Sequence, residues 1–347
     1  MDIIQKYIEP EAVEELSLVY LAKPVYGGWV TFTVHLAKKF NYRLYKVTKR
    51  TESKVRSFGY NVDYQNVCLE DLLKLPNLLI TAIDKHYWPI LQYLPINTKI
   101  VIHDPTELKT SKSNPNPLVQ EKELLKQFKV YTIRETVQKY LLDNFKIQSI
   151  FKVHPFYRYP CEKEGYKCHA VTISRIDFDK NTDIILKANQ LIKDPKKRVH
   201  IFGAENRLYV HHKLSSLGLK EVFEEYWMKK FPKTLPLTDT NGNNLLNNCE
   251  YIVDMSIIKG DGGGTQYTFL EAIHNDCILI LHKEWVNQGD LFKDKHNCYV
   301  VGYTDKPEEE IAKIINSPNK KMNKMILKNS KIILDDHIKK DFFYFFF

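Results

Sequence analysis

Residues 261–275 read Asp-Gly-Gly-Gly-Thr-Gln-Tyr-Thr-Phe-Leu-Glu-Ala-Ile-His-Asn. Asp261 leads into Gly262, Gly263, Gly264 and Thr265, and a helix-forming run then carries one carboxylate, Glu271. Bare glycine amides approach phosphate oxygens closely, and the start of a helix favours negative charge. A carboxylate further along can accept hydrogen bonds from ribose hydroxyls. The pattern therefore suits a nucleotide-linked ligand. A plain surface loop has the same composition, so this stretch gains weight only in company.

Four other constellations keep it company, each at the end of an apolar run. Gly27-Gly28 precedes Trp29, Val30 and Thr31. It is neither the Gly-x-Gly-x-x-Gly fingerprint nor a P-loop with its lysine, which disfavours dinucleotides and ATP. His103-Asp104 could orient a substrate hydroxyl, although a lone histidine is as easily structural. Ser174-Arg175-Ile176-Asp177-Phe178-Asp179-Lys180 sets two cations five residues apart. Arginine offers forked donors and lysine a point charge, a pair suited to a diphosphate, unless the turn is only solvated surface. Gly203 closes another strand-like run and says little alone.

The runs themselves set the frame. Leu16 to Leu21, Tyr42 to Val47, Leu78 to Ile83, Lys99 to His103, Lys129 to Ile133 and Ser149 to Val153 read as strands. Ala170 to Ser174, Arg198 to Gly203, Tyr251 to Met255 and Cys277 to Leu281 continue the series. Residues 29–40 and Asp183 to Ile192 have helical spacing between them. Alternating strands and helices imply parallel, doubly wound sheets, whose ligands collect beyond the strand C-termini. Two prolines and no periodicity at His154 to Pro160 mark an interdomain hinge. The long polar segment Thr106 to Pro117 reads as functional or mobile.

A chain of 347 residues, 44% hydrophobic and 27% charged, fits two ordinary domains. No apolar run reaches the roughly 18 residues of a membrane span. The start is too polar for a secretory leader. The six cysteines follow no zinc spacing and read as free cytosolic thiols, which points to a cytoplasmic protein. Net charge is +9, with 22 Lys+Arg against 16 Asp+Glu in residues 1–155 and 29 against 26 beyond. That bias is compatible with a polyanion such as DNA and equally with a lysine-rich composition. The lysine-studded C-terminal helix and the aromatic tail Phe342 to Phe347 suggest a packed end or weak contact with a membrane surface.

The order of the five constellations resembles the retaining, family-four type of GT-B glycosyltransferase. The resemblance implies an α/β fold of two Rossmann-like domains facing each other across a cleft. Residues 1–155 would bind the acceptor and 156–320 the nucleotide sugar, with 321–347 a helical segment and tail packing back on the first domain. Arg175 and Lys180 would clamp the diphosphate, with Gly27, Gly28, Ser174, Gly203, Asp261, the three glycines and Thr265 also on the donor. His103 and Asp104 would face the acceptor hydroxyl. Glu271 matches the second glutamate of the family's pair and would bind ribose. The first should stand at position 263, where this chain has Gly263. The resemblance implies no required metal or cofactor, and a UDP-sugar as donor. Tyr267 to Glu271, Gly28 to Thr31 and His103-Asp104 are also similar to phage DNA α-glucosyltransferases, which makes hydroxymethylated DNA the first acceptor expectation. A glycan, lipid-linked sugar or protein acceptor is the alternative, and a non-catalytic nucleotide-sugar or nucleic-acid binder a further one.

Overall fold

The computed structural model describes residues 16–25, 27–47, 55–57, 62–104, 122–161, 168–228 and 244–339. The segment 106–117 and the aromatic tail lie outside them. The apolar runs become two sheets. The first holds β1 (Ser17–Leu21), β2 (Leu44–Val47), β3 (Val55–Ser57), β4 (Asp63–Val67), β5 (Leu78–Ile83), β6 (Lys99–Ile102), β7 (Lys129–Thr132) and β8 (Ile150–Phe151). Its order is β3-β4-β2-β1-β5-β6-β7-β8, so the winding reverses between β1 and β5. The second holds β9 (Ala170–Ile173), β10 (Val199–Phe202), β11 (Tyr251–Asp254), β12 (Ile278–His282) and β13 (Tyr299–Val301), ordered β10-β9-β11-β12-β13. Its reversal lies between β9 and β11. β1, β5, β9, β11 and β12 are buried at every position, as parallel strands covered on both faces must be.

One expectation needs correction. The first sheet is not wholly parallel: β3 pairs antiparallel with β4, Val55 opposite Gln65. β4 reads Asp-Tyr-Gln-Asn-Val, a polar sequence with no apolar run to announce it, and it lies between β2 and the edge strand β3. The short β13, Tyr-Val-Val, was also missed, although its residues are strand-formers.

The two domains meet through helices. α1 (Gly28–Phe40) follows β1, and α2 (Glu135–Phe145) follows β7. α3 (Thr182–Leu191) and α4 (Tyr267–His274) belong to the second domain, as does α5 (Pro307–Asn316). α6 (Lys320–Ile338) starts there, where Asn323 donates to Tyr251 Oη at 2.7 Å. It ends against the first domain, where His337 O accepts from Lys39 Nζ at 2.8 Å. Among the described residues no helix is long and apolar enough to cross a membrane. α1 buries residues on nearly every side because it has the sheet on one flank and α4 on the other.

The segment 154–159 is a packed wedge between these helices rather than a free hinge. His154, Pro155, Phe156 and Tyr159 are buried. The main chain of the wedge bonds in every direction: Tyr157 N donates to His35 Nδ1 at 2.9 Å, and Phe156 N to His337 O at 3.1 Å. Pro155 O accepts from Tyr267 Oη at 3.1 Å, and His154 O from His337 Nδ1 at 2.7 Å. The His35 and Tyr267 rings stack across the domain boundary, with centroids 4.5 Å apart. Because His35 Nδ1 accepts from an amide, the neutral ring carries its proton on Nε2, 3.4 Å from Glu271 Oε1.

Burial holds His35, His154 and His337 below the ordinary histidine range. The folded protein keeps them neutral where the unfolded chain would protonate them, so stability falls as pH drops below about 6.5. Burial also raises the Glu271 carboxyl well above its ordinary range, which acts in the opposite sense. Burial lowers His103, His169, His200, His274 and His282 in the same sense as the three histidines, so the net slope follows the histidines. The urea midpoint is expected to fall between pH 7.5 and 5.5, and His154→Gln should make that fall shallower by about one proton's worth. An equal slope in the variant would remove His154 from this account.

Candidate functional site

The C-terminal ends of the two sheets face each other and enclose two cavities, of about 330 Å³ and 620 Å³. Ile133, Arg134 and His154 line both and form the partition. The smaller cavity gathers predicted residues from three separate strand ends: Gly27 and Gly28 after β1, His103 and Asp104 after β6, and Ser174, Arg175 and Lys180 after β9. Its roof is the start of α4, Gln266 to Thr268. The larger cavity is walled by Asp261, Gly262, Gly263, Gly264 and Thr265.

His103 is buried, and its Nε2 donates to Thr81 O at 2.6 Å. That bond fixes the tautomer and leaves Nδ1 as the ring's acceptor. Burial lowers its pKa to about 4, so the ring is a neutral hydrogen-bonding group near neutral pH. Lys180 is buried and donates to Ser256 Oγ at 2.9 Å, beyond the end of β11. Arg175 lies out in the cleft, 62% exposed, with Nη1 3.2 Å from Asp177 and Nη2 3.4 Å from Asp179. The two cations thus reach one cavity by different routes. Lys180 is fixed from the sheet side, whereas Arg175 is held only by carboxylates of its own turn. Ser174 Oγ bonds locally to Arg175 O at 3.1 Å.

The glycine loop answers the question of the missing glutamate. Gly263 has φ +58°, and a Cβ there would stand 2.3 Å from Trp285 O and 3.0 Å from Gly289 N. No side chain fits that backbone. Gly262 is similarly crowded, its would-be Cβ 2.8 Å from Thr136 Cγ2 of the first domain. Asp261, two residues earlier in the chain, is buried and 3.2 Å from Arg134 Nη1, which also donates to Asp261 O at 2.6 Å. Burial raises the Asp261 carboxyl and Arg134 opposes that rise. Among the described residues, the amides of Gly262, Gly263 and Gly264 donate to no protein acceptor.

Two predicted residues lie elsewhere. Gly203 lines neither cavity. A Cβ there would meet Ser174 O at 1.7 Å, so the glycine serves close packing of the β9 and β10 ends. Glu271 is 1% exposed and lines neither cavity. Its Oε1 faces His35 and its Oε2 has no partner among the described residues. Arg134 was missed by sequence reasoning. Its only signal was a position one residue beyond the strand-like run Lys129 to Ile133, the same position that flagged the other sites.

No family model matches the chain, and comparison with curated proteins gives no match. Solved structures do match. HepE of Anabaena, in complex with UDP and glucose, is 13% identical over 95% of this chain and 97% of its own, with a TM-score of 0.63. A glycosyltransferase from Rickettsia africae is 12% identical over 95% and 96%, with a TM-score of 0.59. An α-glucosyltransferase in complex with UDP and a 13-mer DNA containing an HMU base is 13% identical over 94% and 96%, with a TM-score of 0.61. Likeness along nearly the whole of both chains at such low identity is likeness of fold. The chain has the two-domain GT-B fold.

Placing a carboxylate at position 263 tests the crowding argument. Gly263→Glu is expected to lower stability by about 1–3 kcal/mol, through left-handed strain and collision with the 285–289 backbone. Thermal melting would show it, and an unchanged melting temperature would refute the argument.

Proposed function

We propose that this protein is a retaining glycosyltransferase that moves a hexosyl group, glucose first, from a UDP-sugar to a hydroxyl acceptor. The observation that carries the reading is the convergence of Arg175, buried Lys180 and two glycine loops on one interdomain cleft. The HepE structure with UDP-glucose supports the choice of donor.

The chemistry follows from charge. Breaking the bond from the anomeric carbon to the diphosphate leaves negative charge on the departing oxygens. Preorganised cations and amides aimed at that charge lower the barrier without reorganising during the reaction. Lys180 is already fixed. Arg175 can exchange its local carboxylates for phosphate oxygens. The free amides of Gly262 to Gly264 can take phosphate or sugar oxygens. The acceptor hydroxyl would sit on the side of Gly28, His103 and Asp104. Its proton would pass to the departing phosphate on the same face, which fits retention and needs no separate base. In this reading side-chain cations and amides carry the leaving-group charge rather than a metal. Glu271 keeps its proposed ribose role through Oε2, which has no partner among the described residues.

Our first acceptor reading is a hydroxymethylated base in DNA, supported by the net charge of +9 and the HMU-DNA neighbour. An uncharged base would leave the helix and enter the cleft while the phosphates stay on the basic first domain. A specific observation favours a second reading, a neutral glycan. Glu135, Asp290 and Asp336 rim the larger cavity, and Arg134 is already committed to Asp261. Phosphates would be repelled from that rim.

Two measurements decide. Arg175→Ala, at an exposed site, should lower kcat/KM for transfer by roughly 10²–10³ while leaving the melting temperature unchanged. Full activity in the variant would remove the clamp. Transfer from radiolabelled UDP-glucose should be measured on hydroxymethylated duplex DNA and on neutral oligosaccharides over a salt series. A DNA rate that falls steeply with salt supports the first reading. Salt-insensitive transfer to the sugars alone selects the second, and no binding of any UDP-sugar overturns both.

A further inference from the structure

Arg134 is placed to do more than pair with an acid. It stands in extended conformation immediately before α2, at the C-terminal end of β7 in the first domain. Its guanidinium crosses the cleft, bonds both the main-chain and carboxylate oxygens of Asp261, and lies 5.9 Å from the Trp285 ring. Trp285 supplies the carbonyl that crowds Gly263. Two residues further on, the Thr136 methyl fills the space where a Cβ of Gly262 would stand. The first turn of α2 thus grips the loop at two successive residues. The loop's own domain packs the 285–289 backbone against Gly262 and Gly263 but adds few side-chain hydrogen bonds: Asp261 N donates to Gln288 Oε1 at a long 3.3 Å, and Thr265 Oγ1 bonds its neighbour. Gly262 and Gly263, with φ of +81° and +58°, belong to the residue type freest to leave that conformation.

We propose that Arg134 is a positioning residue: from the first domain it holds the Asp261 to Gly264 loop of the second, so the loop's free amides are aligned only while the domains are docked. The proposal rests on the reading of that loop as a donor contact. Its consequence is a coupling between closure and donor alignment. A nucleotide sugar bound to the second domain alone would meet a loose loop, and the activated sugar would be shielded from water only in the closed pair.

The test uses the full chain and three variants: Arg134→Ala, Arg134→Lys and Asp261→Asn. Amide hydrogen exchange is followed at 262–265, with β12 as an internal control. Arg134→Ala should speed loop exchange by about tenfold or more, the size expected from losing a charge-assisted hydrogen bond, with β12 unchanged. Arg134→Lys keeps the charge and one donor and should recover part of the protection. Asp261→Asn keeps the main-chain contact and should fall between wild type and alanine. In kinetics, Arg134→Ala should lower kcat by about 100-fold, as misplaced reacting groups do, with a much smaller change in KM for the donor. Unchanged loop exchange together with weaker UDP binding would make Arg134 a direct phosphate ligand and overturn the proposal. Unchanged exchange and unchanged kcat would overturn it outright. If the wild-type chain binds no UDP-sugar, the functional reading fails, while the exchange data still decide whether Arg134 holds the loop.

Discussion

The site depends on the docking of α1 against α4. A cleft between two separate sheets has a defined geometry only if something fixes one sheet against the other. Here the His35 ring does so from inside α1. It stacks on Tyr267, donates toward Glu271 and accepts from the amide of Tyr157. Three parts of the chain are thereby referred to one imidazole: the second domain's helix, the interdomain segment and the first domain's helix. The end of α6 closes the arrangement through His337. Buried polar groups of this kind are costly when left unpaired and directional when paired. They specify one docking geometry where apolar packing alone would tolerate several. The cost is visible in Glu271, whose second oxygen has no partner among the described residues.

Given that docking, the cleft's electrostatics follow. Each cation at the cleft is held near oxygen atoms before any ligand arrives: Lys180 by Ser256, Arg175 by Asp177 and Asp179, Arg134 by Asp261. The degree of commitment differs. Arg175 is exposed and its pairs are long, so screening makes them weak and exchangeable. Arg134 is largely enclosed and bonds a main-chain oxygen at 2.6 Å. The first suits a group that turns toward a ligand, the second a group that holds protein in place.

The glycine loop shows a local pattern serving tertiary ends. Three glycines leave amides free along a cavity wall, which is what their chemistry suggested. Gly263 is also obligatory for packing, against the 285–289 backbone, while the Thr136 side chain fills the space beside Gly262. A carboxylate at position 263 is excluded by atoms from elsewhere in the chain. Asp261, two residues earlier in the chain, is turned toward an arginine of the other domain.

The sequence by itself determined the strands, because parallel strands buried on both faces must be apolar throughout. It also determined which segments lie at their C-terminal ends, and that was enough to bring seven predicted residues to one cavity. It missed β3 and β4 at one margin of the first sheet, since short or polar strands there owe their pairing to neighbours rather than to their own composition. Other features were decided only by tertiary structure, because each is a contact between residues far apart in the chain. Glu271 meets His35 from 236 positions away, and Arg134 meets Asp261 from 127. Gly203 is glycine because Ser174 O occupies the space beside it. Residue type announces what a side chain can do. Which of its possible partners it finds depends on how the two domains dock, and no local pattern encodes that.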